Sequence, residues 1–269
     1  MTNPPPIIIP KDQNFLAPTV IEDLVRIGSE NDGGYVIPKK ILSETNFLIS
    51  MGISNDWSFD KHLLSCNPNI HIHAYDHTIS ETLFKREVKV SLIKLFLGKS
   101  NFNKVRRNIS LLRAYQNFFT GNVKHFEERI HNRRDTLYDA DLQKVFERAD
   151  SNKLFLKIDI EGSEYRIIDD IIKHSTKIVG MVIEFHETDP LRLVFNNAIR
   201  KLQNAFEIVH IHPNNYGAIS TDGLPEVLEL TFIRKEMCHR KDKRVDFPLP
   251  GLDQPNNPNK VDYRMRFIL

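Results

Sequence analysis

Three apolar runs of this chain lead into residues that could do chemistry. Leu154 to Ile158 is followed by Asp159 and Glu161, two residues apart. Ile178 to Phe185 carries Glu184 and leads into His186 and Glu187, and Phe206 to Ile211 carries His210 and leads into His212. Short apolar runs of this kind are the pattern of strands buried on both faces. In a parallel sheet the carboxyl ends of such strands line one edge, so residues far apart in sequence can converge there. Carboxylates and imidazoles gathered at one edge support two chemistries. A neutral imidazole can take a proton from a hydroxyl, a contribution of roughly 10²- to 10⁴-fold when it is well placed. His186 is the first candidate for that base and His212 the second, with Asp159 beside them. Alternatively, Asp159, Glu184 and His186 could hold a divalent cation that acidifies and orients the same hydroxyl. Glu184 and His186 are two apart, so a regular strand puts both on one side. Hydrogen bonding to structural partners is the bland alternative for all of them.

Other elements must position these groups. Gly162 allows a sharp turn after Glu161. Ser163 can then cap a helix in which Tyr165, Ile168, Ile171 and Ile172 recur at helical spacing. Phe47 to Met51 reads as the first buried strand, closed by Gly52. Ser54, Asn55, Asp56 and Ser58 offer capping oxygens to a short helix with Phe59, Leu63 and Leu64 on its apolar side. Strand, glycine turn and helix make a Rossmann-type start. Ser54 stands where a GxGxxG fingerprint has its second glycine, the one that lets the backbone approach a pyrophosphate, so the pattern tilts away from dinucleotides. Ile70 to Tyr75 is the second strand, and Asp76 follows the glycine turn at about the 20-residue spacing from which an acidic residue reaches a ribose hydroxyl pair. His71 and His73 are read as packed or hydrogen-bonded side chains.

Residues 79–120 read as a helical insertion, with Leu92, Phe96, Ile109, Leu112 and Phe118 in apolar stripes and a basic run from Lys104 to Arg107. A lid, a substrate-selecting cap or a dimer contact would each show this pattern, and the basic run suggests a cover for an anionic acceptor. Asn122 to Phe126 is a third strand, Leu142 to Ala149 a helix, and Pro190 opens an amphipathic helix through Leu191, Val194, Phe195, Ala198, Ile199 and Leu202. Val227 to Ile233 follows the Phe206 strand with no intervening helix, which predicts an antiparallel pair at the sheet's end. Ile21 to Ile27 reads as a short helix. Asp32-Gly33-Gly34-Tyr35 is either a hairpin turn or a ligand-side loop. The chain divides into an extended N-terminal arm (1–20), one domain (21–236) and a polar, Pro-rich surface tail (237–269).

Three stretches in chain order carry a family resemblance: Ile27-Gly-Ser-Glu-Asn-Asp-Gly-Gly-Tyr-Val36, Ser50-Met-Gly-Ile-Ser-Asn-Asp-Trp-Ser-Phe-Asp60 and Lys157-Ile-Asp-Ile-Glu-Gly-Ser-Glu164. They resemble FkbM-like S-adenosylmethionine-dependent methyltransferases of class I. With the later strand pattern the resemblance spans roughly residues 25–233, apart from the insertion. It implies an α/β fold with a Rossmann-like class I methyltransferase sheet. It also implies S-adenosylmethionine as cofactor, beside Gly33, Gly52, Ser54, Asn55, Trp57, Asp76, His77 and Asp159. The reaction implied is O-methylation of a small-molecule sugar acceptor, nucleotide-linked or glycosidic, for a polysaccharide or natural product. An NAD-dependent oxidoreductase and a catalytically silent cofactor-binding module are the alternatives.

Composition narrows the partners. A formal charge of +2 over 269 residues gives no reason to expect nucleic acid. The basic runs Lys104 to Arg107 and Arg240 to Arg244 read first as solvated faces. Cys66 and Cys238 imply no disulfide framework. No apolar run approaches the ~20 residues that span a bilayer, and Met1 to Pro10 lacks a secretory pattern. The expectation is therefore a cytoplasmic protein with no membrane partner; a homo-oligomer is compatible with the sequence.

Overall fold

The computed structural model describes residues 5–133, 135–239 and 242–269, so the basic run from Arg240 lies partly outside the described residues. Seven strands form the central sheet: β1 (Phe47–Met51), β2 (His71–Tyr75), β3 (Val123–Phe126), β4 (Leu154–Ile158), β5 (Ile178–Phe185), β6 (Phe206–Pro213) and β7 (Leu228–Arg234). Their spatial order is β3-β2-β1-β4-β5-β7-β6. The first five run parallel, and β7 is antiparallel to both β5 and β6. This is an open, doubly wound Rossmann-like sheet, with the expected antiparallel pair at its end. The chain winds one way from β1 to β3 and the other way from β4 to β5, so the gap between β1 and β4 is the switch point where open α/β sheets bind ligands. Register keeps that edge level, with Met51 beside both Tyr75 and Ile158.

Among the described residues six α-helices are six residues or longer: α1 (Ser58–Cys66), α2 (Glu81–Phe96), α3 (Phe102–Phe118), α4 (Leu142–Arg148), α5 (Ile168–Lys173) and α6 (Arg192–Leu202). Alternation along the strands divides the core. Phe47, Ile49, Met51, Leu154, Leu156 and Ile158 face α4, α5 and α6, while Leu48, Phe155 and Val182 face Phe59 and Leu63 of α1. On α6 the buried face is Phe195, Ala198, Ile199 and Leu202; Val194, expected on that face, is 46% exposed. The insertion after β2 is the pair α2 and α3, capped by the Ser80 and Asn101 side chains, which accept from the amides of Leu83 and Lys104. It packs over a cluster of Ile53, Trp57, Ala74, Ile79, Phe84 and Tyr115.

Three local expectations are corrected. Within Ile21 to Ile27 there is no helix: Leu24–Ile27 is a strand, antiparallel to Tyr35–Pro38. A segment of seven residues gains little from helix nucleation, whereas an adjacent extended partner rich in β-branched residues satisfies its backbone. Asp32-Gly33-Gly34-Tyr35 closes this hairpin, clamped by the Arg26 guanidinium, which donates to the carbonyls of Ser29 and Asn31. Second, Ser163 caps nothing with its side chain. The buried Glu164 carboxylate accepts from the amides of Ile160 and Gly162 instead, because a charged acceptor binds loop amides more strongly than a hydroxyl. Third, the chain ends are not a loose arm and a draped tail. Ile7–Ile8 pairs in parallel with Met265–Arg266, which pairs with Asp246–Phe247, and Ile9, Leu16, Phe247 and Met265 enter the main core.

The tail also supplies buried polar partners. His212 is 1% exposed and lies between Glu229 and Asp262, each 3.2 Å away, and His210 pairs with Asp253 at 3.0 Å. Burial alone would lower the His212 pKa, but the Asp262 and Glu229 carboxylates outweigh it and raise it to about 10. A raised imidazole stabilises the fold fully below its unfolded value near ~6.5, and that stabilisation disappears as pH climbs to about 10. We expect thermal unfolding to show a falling Tm across this window. Asp262→Asn should flatten that pH dependence and cost up to about 3–5 kcal/mol at pH 7, the scale for stripping one partner from a buried pair. An unchanged slope in the variant would reject the assignment.

Candidate active site at the switch point

A cavity of about 390 Å³ opens at the carboxyl ends of β1, β2 and β4, within the ~300–1,000 Å³ range of small-molecule sites. Its floor is the turn after β1. Gly52 takes a φ of 73°, and a Cβ there would lie 1.6 Å from the Asp159 carbonyl oxygen. Only glycine lets the ends of β1 and β4 meet so closely. The Gly52 amide donates to the Tyr75 carbonyl at 3.0 Å, and its own carbonyl accepts from the Lys157 ammonium at 2.6 Å. Lys157 is 4% exposed within an otherwise apolar strand and lies 3.6 Å from the Asp159 carboxylate.

Asp76 forms the opposite wall and braces the same turn. One carboxylate oxygen accepts from the amides of Ile53 (3.1 Å) and Ser54 (2.7 Å), the other from the amide (2.7 Å) and hydroxyl (2.6 Å) of Thr78. A carboxylate offers about four lone-pair sites, so Asp76 is fully engaged by protein donors. Burial pushes its pKa up, but the Thr78 and Ser54 donors prevail and hold it below the usual range. Contact with a ribose would have to replace Thr78 at one oxygen. Ser54 has a φ of 42° and so occupies the left-handed region that a glycine would favour.

An acidic cluster adjoins the cavity through Asp159 and Glu161. His186 Nε2 lies 3.6 Å from Glu161, 3.7 Å from Glu184 and 4.0 Å from Asp159. Its Nδ1 is 3.0 Å from Glu164, which is completely buried. Glu164 thereby orients the ring, with Nδ1 toward itself and Nε2 toward the other carboxylates. The Tyr165 hydroxyl anchors the same segment by donating to the His186 carbonyl at 2.5 Å. Burial would lower the His186 pKa, yet Glu164, Glu184 and Asp159 raise it to about 9. Glu184 is held by Asn214 (2.9 Å) and the Tyr35 hydroxyl (3.3 Å); burial first, then Asp159 and Glu229, push its pKa well above the ordinary value. Ligand atoms of Asp159, Glu184 and His186 all lie within 4.8 Å of one another, and so do those of Asp32, Glu184 and Glu229.

Of the residues singled out in the sequence, Gly52, Ser54, Asp76, His77 and Asp159 line the cavity, and Glu184 and His186 adjoin it through Asp159 and Glu161. Gly33 sits in the hairpin turn, where a Cβ would meet Asp56 at 2.5 Å, and Asn55 is exposed to solvent. Trp57 stacks with Phe118 and meets Phe84, Tyr115 and Phe119 under the insertion, because an indole ring gains more from that apolar cluster than from a polar turn. None of these three lines the cavity, nor does any residue of α2 or α3, so the insertion does not cover it. His212, with both ring nitrogens taken and 1% exposure, has no access to an acceptor. Lys157, Glu164, Glu229 and Asp32 were not anticipated. The signal for two of them is a charge inside an apolar run, Leu156-Lys157-Ile158 and Leu228-Glu229-Leu230, since such residues are rarely buried unless paired.

No protein-family model matches the chain, and no curated protein matches it in sequence. Among solved structures it is similar to fibrillarin, a pre-rRNA processing protein of Methanococcus jannaschii, at 10% identity and a TM-score of 0.37, covering 72% of this chain and 68% of that one. It is similar to precorrin-6y C5,15-methyltransferase from Geobacter metallireducens at 13% identity and a TM-score of 0.35, covering 72% and 86%. An O-methyltransferase family protein from Burkholderia thailandensis aligns at 8% identity and a TM-score of 0.33, covering 72% and 52%.

The close approach at Gly52 gives a direct test. Gly52→Ala should cost more than about 3 kcal/mol, because backbone must move as well as adopt a strained φ. Gly162 has a φ of 89° with nothing within 4 Å of its hypothetical Cβ, so Gly162→Ala should cost only the left-handed penalty of about 1–2 kcal/mol. Denaturant unfolding of the two variants measures the difference; equal losses would show that the Asp159 contact is not the constraint.

Proposed function

We propose that this chain is an S-adenosylmethionine-dependent O-methyltransferase acting on a sugar hydroxyl, nucleotide-linked or glycosidic. The observation that carries the reading is that the switch-point cavity shares Asp159 with the Asp159–Glu184–His186 cluster. The cavity would be the first compartment, for the cofactor, and the cluster would meet the acceptor hydroxyl beside it. Bound in the first compartment, S-adenosylmethionine would supply an electrophilic methyl group. The Gly52 turn and His77 would line the place of its nucleoside, Asp76 would reach the ribose by giving up Thr78 at one oxygen, Ile130 offers an apolar wall, and the carboxylates of the cluster suit its positive charge. A dinucleotide fits less well, because Ser54 brings a side chain to the place where a pyrophosphate needs bare backbone.

The cluster itself has two uses in such a reaction, and its geometry favours a cation over a lone base. Ligand atoms of two carboxylates and an imidazole lie within 4.8 Å of one another, and the Nδ1 bond to Glu164 is the kind of outer contact that orients a ligating histidine. Asp159, Glu184 and His186 would hold a divalent ion, whose contribution when bound would be to lower the hydroxyl's pKa. Mixed oxygen and nitrogen donors suit magnesium or manganese among others. The protein's own part is to fix the acceptor in line with the methyl group, an orientation effect of up to about 7–11 kcal/mol in model systems. It also keeps Glu161, 85% exposed, at the mouth, where it can pass the released proton to water.

Calorimetry should detect binding of S-adenosylmethionine and none of NADH; the reverse would overturn the reading in favour of an oxidoreductase, and cofactor binding without turnover would leave a silent binding module. Chelator should abolish turnover, and manganese or magnesium should restore it. His186→Ala should lower turnover by roughly 10²- to 10⁴-fold and weaken metal binding, with little change in cofactor affinity. Chelator-resistant activity that still needs His186 would make that residue the base.

A further inference from the structure

The helices of the insertion do not line the cavity, and their joined end has an unusual surface. Phe84, near the start of α2, is buried against Trp57. Phe96, twelve residues on, is about 18 Å further along the helix axis at 1.5 Å per residue. Around it the tip of the helical pair exposes Leu92 (48%), Ile93 (50%), Phe96 (91%), Leu97 (57%) and Phe102 (69%). Ser91, Val105 and Asn108 fill the seam between the helices, so these five are surplus to the packing of the pair. Large apolar side chains grouped on one exposed end mark an interaction site.

The charge around the tip is equally one-sided. Between Lys85 and Arg107 there are eight basic residues and one acidic residue, a net +7 in a chain whose formal total is +2, which leaves −5 on the remainder. All eight are exposed. Apolar side chains at the end of a projection with lysines and arginines around its base are the pattern of segments that seat in the headgroup region of a membrane. There the rings and alkyl chains enter the acyl boundary while the cations meet anionic lipid, each adding roughly fivefold in affinity.

We infer that the tip of α2 and α3 docks this protein onto an anionic lipid surface. The charge separates this occupant from the others. Two copies meeting tip to tip would set +7 against +7, whereas an anionic bilayer complements both halves of the pattern. A nucleic acid would engage the cations but leave Phe96 and Leu97 without a partner. The expectation of no membrane partner rested on the lack of a spanning run. Among the described residues no helix is indeed long and apolar enough to cross a bilayer, but a surface contact needs none. The inference is independent of the methyl-transfer reading.

Vesicle co-sedimentation of the full chain tests it. Vesicles of phosphatidylcholine with about one-third phosphatidylserine should capture the protein at low salt, and phosphatidylcholine alone should not. Raising salt should weaken capture, as the Debye length shrinks from about 30 Å at 0.01 M to about 8 Å at 0.15 M. Phe96→Ser with Leu97→Ser should reduce binding at least tenfold, and Lys94→Glu, Lys99→Glu and Lys104→Glu together should abolish it. Unchanged melting temperatures and cofactor affinity would show that both variants still fold. No capture by the anionic vesicles, capture indifferent to both variants, or loss of self-association as the main effect of the Phe96 variant would each overturn the proposal.

Discussion

Buried negative charge at the carboxyl edge of the sheet is the condition that the rest of this structure answers. Asp159, Glu184, Glu229 and Glu164 sit within one neighbourhood, and three of the four are almost fully shielded from water. Isolated ionised carboxylates would not survive there. Lys157 is placed inside an apolar strand to meet Asp159, His186 is held by Glu164 against Asp159 and Glu184, and His212 lies against Glu229. Asn214, Asn256 and the Tyr35 hydroxyl donate what remains. The arrangement leaves room for one more positive group, which is the property a cationic cofactor or a metal would use.

The same edge explains why fold and site are inseparable here. Strand order places the ends of β1 and β4 side by side, and Gly52 lets them touch. That contact presents the Gly52 carbonyl to Lys157 and the amides beyond it to Asp76. Lys157 therefore serves backbone and carboxylate at once. A change at any of these residues would move the wall of the cavity as well as the charge beside it, and the effects would not be additive.

Much of this could be read in the amino-acid order, and the exceptions share a cause. Strands buried on both faces announce themselves as apolar runs, and the residues that close them fall on one edge whatever the details, so Gly52, Asp76, Asp159, Glu184 and His186 were found together. Long-range pairing is not local information. Leu24 to Ile27 became a strand because Tyr35 to Pro38 lies beside it, and the polar tail is tucked in because His210, His212 and Glu229 need Asp253, Asp262 and Asn256. Asp76 has the spacing of a ribose ligand but also four protein donors, which spacing does not reveal. Trp57 lies within a stretch that resembles a cofactor loop, yet its ring is drawn to the insertion, the part between residues 25 and 233 that lay outside the resemblance.

The pairing of Ile7–Ile8 with Met265–Arg266 bears on how the molecule comes into being. During synthesis the first strand must wait for a partner made some 250 residues later, about 10–50 s at ordinary ribosomal rates. The partners that the tail brings to His210, His212 and Glu229 arrive almost as late. A nascent chain with its central strands already paired would therefore carry an unbalanced charged edge and an unpaired apolar strand at Ile7–Ile8 until residues 246–266 had been made. The closing of that edge would then be a late step of folding, after the central strands have paired.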